Sequence, residues 1–374
     1  LDRNVYVDSG TTLACEPGTV FVKTRPYAHV LANRALASGG RDRDIAILGL
    51  EVRVDGQEAY AAPDSPAPGL RAHLAFVHVD NLRISDFACN DLAKNCYCMQ
   101  IADFDGVTVE RFAIRGQKDG IHLNDGRRFA IRDGRLRTGD DGIALNAGDW
   151  PSCTPRLGSL EDGVIENVVD EPGGRCNFVR VITGVWKDWH PGMRLQREDV
   201  VRVGKRVYCV FPAALSTNEY VSTAAPGHGR GVWTSPDGIS FLYLQDNGAT
   251  RADIRNVVIR NCRIDSDRCV TCLWEICEWA RLIHPELPRK DYPVIDIRLE
   301  NVVKTGRGPL IGGNSSVSAT LVNCRAAGRF ADRPEKHVFD DVAFTNSLYR
   351  GVTVNISGAP AQGVRGMGTF RFLD

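Results

Sequence analysis

Residues 117–150 read QKDGIHLNDGRRFAIRDGRLRTGDDGIALNAGDW. Set in two rows, the stretch nearly repeats itself. Asp119-Gly120-Ile121-His122-Leu123 returns as Asp141-Gly142-Ile143-Ala144-Leu145, and the second copy carries an extra carboxylate, Asp140. A fixed interval of 22 residues between two equivalent segments is the mark of a stacked repeat.

The same texture extends in both directions. DIAILGLEVRV from Asp44, LAFVHVDNLRISDF from Leu74 and DFDGVTVERFAIRG from Asp103 precede the stretch. LEDGVIENVVDE from Leu160, DIRNVVIRNCRID from Asp253, VIDIRLENVVKTG from Val294, SATLVNCRAAG from Ser318 and HVFDDVAFTNS from His337 follow it. Each alternates apolar and polar residues and breaks at Asn, Asp or Gly, which is the signature of short strands between turns. Helical periodicity is nearly absent. A β-sandwich also has many short strands, but it would show hairpin turns between antiparallel partners rather than rungs at a constant interval. The expected architecture is therefore all-β: a parallel β-helix, one domain over 1–374, each coil stacking on its neighbour about 4.8 Å away.

The rhythm breaks between about 183 and 236, where VWKDWHPGMRLQREDVVRVGKRVYCVFP and NEYVSTAAPGHGRGVWTSPDG suggest a hairpin-rich excursion from one coil. Insertions of this kind gather on one face of a solenoid, often the binding face.

In such a solenoid, residues one coil apart lie one above the other. Asp119 and Asp141 then share a corner on adjacent rungs, roughly 5 Å apart, with Asp140 beside them. Asp and Gly are ordinary turn residues, but two copies in register plus a third acid are more than a turn needs. Three close carboxylates cannot all ionise freely, so at least one pKa rises. A protonated and an ionised carboxyl together are what glycosidic bond cleavage uses, one for the leaving oxygen and one for water.

The bulk composition sets outer limits. With 46 basic and 46 acidic residues the formal charge is zero, which argues against a nucleic-acid or anionic-membrane surface. No apolar run reaches the roughly 18 residues of a membrane-spanning helix. Twelve cysteines are too dilute for a disulfide-built scaffold. CYC at 96–98 and CVTC at 269–272 lack the second CxxC of a zinc ribbon, so stacked buried thiols or one or two disulfides are expected, and no metal.

The segment resembles the core signature of the family 28 glycoside hydrolases, the polygalacturonase family. There an Asn-Thr-Asp-Gly turn is followed one coil later by Gly-Asp-Asp-Cys-Ile-Ala and then Ser-Gly. Here the residues are Gln117-Lys118-Asp119-Gly120, then Gly139-Asp140-Asp141-Gly142-Ile143-Ala144, then Ala147-Gly148. The resemblance implies a right-handed parallel β-helix and an inverting hydrolase without metal or cofactor. It makes Asp140 the general acid and Asp119 and Asp141 the pair that activates water, and it implies a carbohydrate partner outside the cell or in the periplasm.

The departures matter as well. The family carries Gly-His-Gly one coil after the paired acids, where this chain reads Gly173-Gly174-Arg175-Cys176-Asn177-Phe178. The Gly227-His228-Gly229 here lies inside the excursion, and His122, three residues after Asp119, is an alternative helper. The family's Arg-Ile-Lys, which grips a uronate, lacks a clear match, and Trp274, Glu275 and Arg281 lie near its expected place. Trp faces stack on sugars and carboxylates accept hydroxyl hydrogen bonds. A neutral or partly acidic glycan is the resulting expectation, with Arg175, Arg180 or Arg281 available should a carboxylate need holding. Two other functions fit the same architecture: a Ca²⁺-dependent polysaccharide lyase with an Arg or Lys base, and a non-catalytic carbohydrate-binding solenoid.

Overall fold

The computed structural model describes residues 1–26, 29–59, 67, 69–151, 153–211, 219–227, 231–274, 293–308, 310–313, 318–322, 324–326, 352–357 and 368–373. Its main body is a single 24-stranded sheet in which the pairings are parallel and join segments one coil apart. This is a parallel β-helix. The one helix among the described residues is the short Arg34–Ser38.

The coils stack in strict register. On one face the inward column runs Phe76, Ile101, Leu123, Leu145, Val181 and Leu273, each paired to the next. On another it runs Ile47, Ile84, Val109, Ile131, Ile165, Ile259, Leu299 and Leu321. All of these are fully buried. Because a strand turns alternate side chains inward, a one-residue slip would expel a whole column into water, so the alternation in the sequence fixes the register.

The corners are chemical as well as geometric. Asn167, Asn256, Asn261 and Asn301 adopt left-handed backbone with φ of 55°, 51°, 53° and 53°. Asn tolerates that region better than other non-glycine residues. Each is followed by a buried residue, Val168, Val257, Cys262 or Val302, which turns back into the core. Among the described residues the cysteines are free thiols, and most are buried within the solenoid or the excursion.

The chain leaves the solenoid where Gly184–Val185 pairs antiparallel with Arg251–Ala252. Between those strands lies a five-stranded sheet of Lys187–Asp188, Val200–Val203, Arg206–Val210, Ser240–Asp246 and Val232–Thr234, mostly antiparallel. Met193, Leu195, Val201, Tyr208, Val210, Ile239 and Phe241 give it a small apolar core of its own.

Candidate active site

Strands Ile121–Arg132 and Ile143–Asn146 lie side by side with Ile121 opposite Ile143, Leu123 opposite Leu145, and His122 opposite Ala144. The ladder continues into the preceding turns. Gly120 N–H donates to the Asp141 carbonyl at 3.0 Å, and Gly142 N–H donates to that of Asn177 at 2.9 Å. Asp119, Asp141 and Asn177 therefore form one vertical column. The paired glycines are a spacing requirement: a Cβ on Gly120 would come within 2.5 Å of the Gly142 carbonyl oxygen, and one on Gly142 within 2.9 Å of that of Phe178. Each Asp-Gly repeat is thus a carboxylate placed on a corner whose next residue must let the rungs close.

The three acids come together, but their environments differ. Asp119 and Asp141 are buried, at 2% and 1% exposure, while the Asp140 side chain keeps 30%. Burial, with the Asp140 charge adding to it, raises Asp119 to about 7. Burial likewise raises Asp141 to about 6, against the pull of the Arg180 guanidinium 3.3 Å from its Oδ2. Asn177 donates to Asp141 Oδ1 from its backbone N–H at 3.2 Å and from Nδ2 at 2.8 Å. Burial works on Asp140 in the same direction, yet the Lys118 ammonium that contacts it holds its carboxyl well below the usual range. The same ammonium stands 3.1 Å from Asp119 Oδ1. Burial thus pushes Asp119 up while Lys118 holds Asp140 down, so the two neighbouring carboxyls are driven in opposite directions.

His122 is fully buried and stacks on Tyr97, ring centroids 3.7 Å apart. Asn146 Nδ2, a donor, faces its Nδ1 at 3.4 Å, so Nε2 carries the ring proton and donates to Asp119. Burial lowers the His122 pKa to about 3, which keeps the ring neutral. Asn146 also donates to Asp149 at 2.8 Å, and Arg180 reaches from Asp149, at 3.7 Å, back to Asp141. A polar ring thus runs from Asp119 through His122, Asn146, Asp149 and Arg180 to Asp141. His122 orients an acid and packs under it; it does not reach the open site.

A cavity of about 340 Å³ opens beside Asp119. Arg71, Lys94, Lys118 and Arg180 line it, with Tyr97 and the half-exposed Trp150. Arg71 and Lys118 both lie over the Tyr97 ring. Lys94 is exposed and makes no ion pair among the described residues. Arg71, Lys94, Lys118 and Arg180 face this cavity with Asp119 and Asp149, so cations outnumber carboxylates on its wall, although Lys118 and Arg180 are also paired with Asp140 and Asp141.

Of the other residues singled out in the sequence, Arg180 belongs to the site as described. Arg175 is exposed, and its contribution is backbone: its N–H donates to the Thr138 carbonyl at 2.9 Å. Trp274 closes strand Cys269–Trp274 opposite Ile182. His228, Glu275 and Arg281 lie outside the described residues. Lys118 was legible, since it sits inside the quoted motif one coil below Asp140. Asp149 lies at the end of the quoted stretch but outside its repeat, and Arg71 and Tyr97 carry no motif; folding brings all three to the site.

Among the described residues two groups have the donor atoms to hold a metal ion, each within 4.8 Å: Glu58, His73 and Cys96, and Asp140, Asp141 and Cys176. In the first, Glu58 already accepts from His73 Nε2 and from the backbone N–H groups of Ala93, Asn95 and Cys96. In the second, Lys118 and Arg180 already place positive charge on the carboxylates. Neither is an open oxygen cage of the kind Ca²⁺ prefers.

No protein-family model matches the sequence, and no curated protein is significantly similar to it. Solved structures do resemble it. A family 28 exopolygalacturonase from Yersinia enterocolitica aligns at a TM-score of 0.48 and 13% identity, covering 99% of this chain and 67% of that one. A hyperthermoactive exopolygalacturonase from Thermotoga maritima aligns at 0.38 and 11%, covering 87% and 76%. The Streptococcus pneumoniae surface protein and adhesin PfbA aligns at 0.42 and 12%, covering 100% and 86%. At such identities the likeness concerns the fold, and what the site does must be read from its own residues.

Proposed function

We propose that the chain hydrolyses O-glycosidic bonds in an anionic carbohydrate, without a metal, and with inversion at the anomeric carbon. The observation that carries this reading is three neighbouring carboxyls in unlike settings: Asp119 and Asp141 buried, which raises them to about 7 and about 6, and Asp140 more exposed and held low by the Lys118 ammonium. Titratable neighbours pushed apart in this way are how one site supplies both an acid and a base. Asp119 and Asp140 flank Lys118 and act as a pair that carries one proton. Asp119 stores it, and the more exposed Asp140 delivers it to the leaving oxygen. Asp141, raised to about 6, is a base poised to take a proton from water.

The cation-lined wall supports the choice of an anionic substrate, since Arg and Lys recognise carboxylate or sulfate. Trp150, exposed at the cavity edge, offers a face for a sugar ring. A polymeric substrate of this kind is met outside the cell or in the periplasm, which is the localisation this reading proposes. A lyase would need Ca²⁺ on carboxylates that two cations already engage, and a purely binding solenoid has no use for a carboxyl tuned to near neutrality.

The test is a reducing-end assay on polygalacturonate, a sulfated galactan and a neutral glucan, with Asp140→Asn as control. We expect hydrolysis of an anionic chain, and loss of about 10²–10⁴-fold in the variant with its thermal melt preserved. Turnover of the neutral glucan alone removes the substrate assignment. An unsaturated, ultraviolet-absorbing product makes the protein a lyase.

A further inference from the structure

The turn that carries Asp140 and Asp141 is not held by its own coil alone. Arg268 is only 4% exposed and comes from the rung beyond the excursion. Its Nη1 donates to three acceptors, each at 2.9 Å: Thr138 Oγ1, the Asp140 carbonyl and the Arg175 carbonyl. On the other side Nε donates to Asp170 Oδ2 at 2.9 Å, and Nη2 pairs with Oδ1 of the same carboxylate. Asp170 is fully buried, lying in an inward column between Leu136 and Ile264. A charged carboxylate there costs stability unless it is paired, so the core fixes the guanidinium in one orientation.

The neighbouring turns make room for it. A Cβ on Gly142 would stand 2.8 Å from Arg268 Nη2, and one on Gly174 3.0 Å from its Cζ. The family signature has Cys where this chain has Gly142, and the guanidinium occupies that space. Thr138 completes the grip, donating from Oγ1 to the Asp140 carbonyl at 2.9 Å.

We propose that Arg268 is the positioning residue of the candidate site: a clamp, anchored on Asp170, that joins the turns carrying Asp140 and Cys176 and fixes where the two adjacent acids point. It touches no reacting atom and acts through the backbone of residues 138–142 and 175. The assignment of those acids to catalysis rests on the function proposed above, while the clamp itself stands on the geometry.

The experiment compares wild type with Arg268→Lys, which keeps the charge against Asp170 but loses the fork. Gly174→Ala, a milder variant whose methyl crowds the guanidinium from the turn, serves if the first does not fold. Hydrogen exchange in peptides covering 138–142 and 174–177 should quicken at least about tenfold, the scale of one lost charge-assisted hydrogen bond, with other coils unchanged. The Asp141 titration, followed by its carboxyl ¹³C resonance, should leave the neighbourhood of 6. On the substrate that wild type cleaves, kcat should fall about 10²-fold with KM little changed, as for a small misplacement of reacting groups. Unchanged exchange in both peptides overturns the clamp. Faster exchange with an unmoved Asp141 titration and full kcat makes Arg268 merely structural and overturns the positioning role. Should wild type cleave none of the glycans, the hydrolase reading fails, and exchange and titration still judge the clamp.

Discussion

Lys118 Nζ stands 3.1 Å from Asp119 Oδ1 and also contacts Asp140, so a single ammonium holds two carboxylates on adjacent rungs. Lys118 belongs to the rung of Asp119 and meets Asp140 one coil above, a contact that only the stacking of the two copies creates. It pulls both carboxyls down, and burial outweighs it at Asp119 but not at Asp140. The family signature has Thr at this position, so the ammonium between the two carboxyls is a feature of this chain.

Replacing Lys118 by Met should move the alkaline limb of the pH–rate profile upward. The ammonium lowers Asp119, which nonetheless sits at about 7 because burial dominates. Without the ammonium, Asp119 and Asp140 both bind their shared proton more tightly, so the acid form survives to higher pH. The check is kcat/KM against pH for both proteins. An alkaline limb that stays in place, or moves down, means that the Asp119–Asp140 pair is not the proton donor.

Arg180 acts on the other limb. It lowers Asp141 against burial, leaving the group at about 6, and activity through an ionised Asp141 should rise as pH passes that value. Arg180→Met removes the opposing charge, so the acid limb should shift to higher pH and the variant should lose most of its activity below that new limb. If the acid limb tracks Lys118 instead of Arg180, the acid and base assignments are reversed.

The fold was legible in the sequence because its two controlling features are local. Alternation along each run selects the inward residues, and Asn or Asp-Gly at fixed places selects the corners; both survive as the buried columns and the left-handed Asn residues. The convergence of Asp119, Asp140 and Asp141 followed from the interval alone. The charges around them did not. Arg71, Tyr97 and Asp149 meet at the cavity from different coils, and Arg268 reaches Asp140 across the whole excursion, a separation of 128 residues. The neutral or partly acidic glycan expectation rested on one segment searched for a basic pair, whereas the cations at the cavity come from several rungs.

Core substitutions should cost stability without touching chemistry when they lie on a face away from the acids. Ile131 is fully buried between Val109 and Ile165. Ile131→Ala should destabilise by about 2–5 kcal/mol, the range for emptying a packed core site. The pH profile should be unchanged at temperatures where the variant is folded. Denaturant unfolding and the activity profile check the two halves separately, and a shifted profile would show that the two faces of the coil are coupled.

The stereochemical outcome distinguishes a base from a nucleophile. Two carboxyls one rung apart are close enough, on distance alone, for a retaining enzyme with a covalent intermediate. The surroundings of Asp141 oppose that. Its Oδ1 takes two donors from Asn177, its Oδ2 faces Arg180, and only 1% of the residue is exposed, so neither oxygen is free to approach an anomeric carbon. Asp119 is engaged by His122 and Lys118 and is equally enclosed. Under the proposed roles a small water, unlike an anomeric carbon, can share the Asp141 Oδ2 that faces Arg180, give it a proton and attack, while the proton shared by Asp119 and Asp140 goes to the leaving oxygen, and the expected product is inverted. Proton NMR of the first-formed anomer, read before mutarotation, decides the matter. An initial product with the substrate's own configuration makes one of the buried carboxylates a nucleophile, and the role given to water is then wrong.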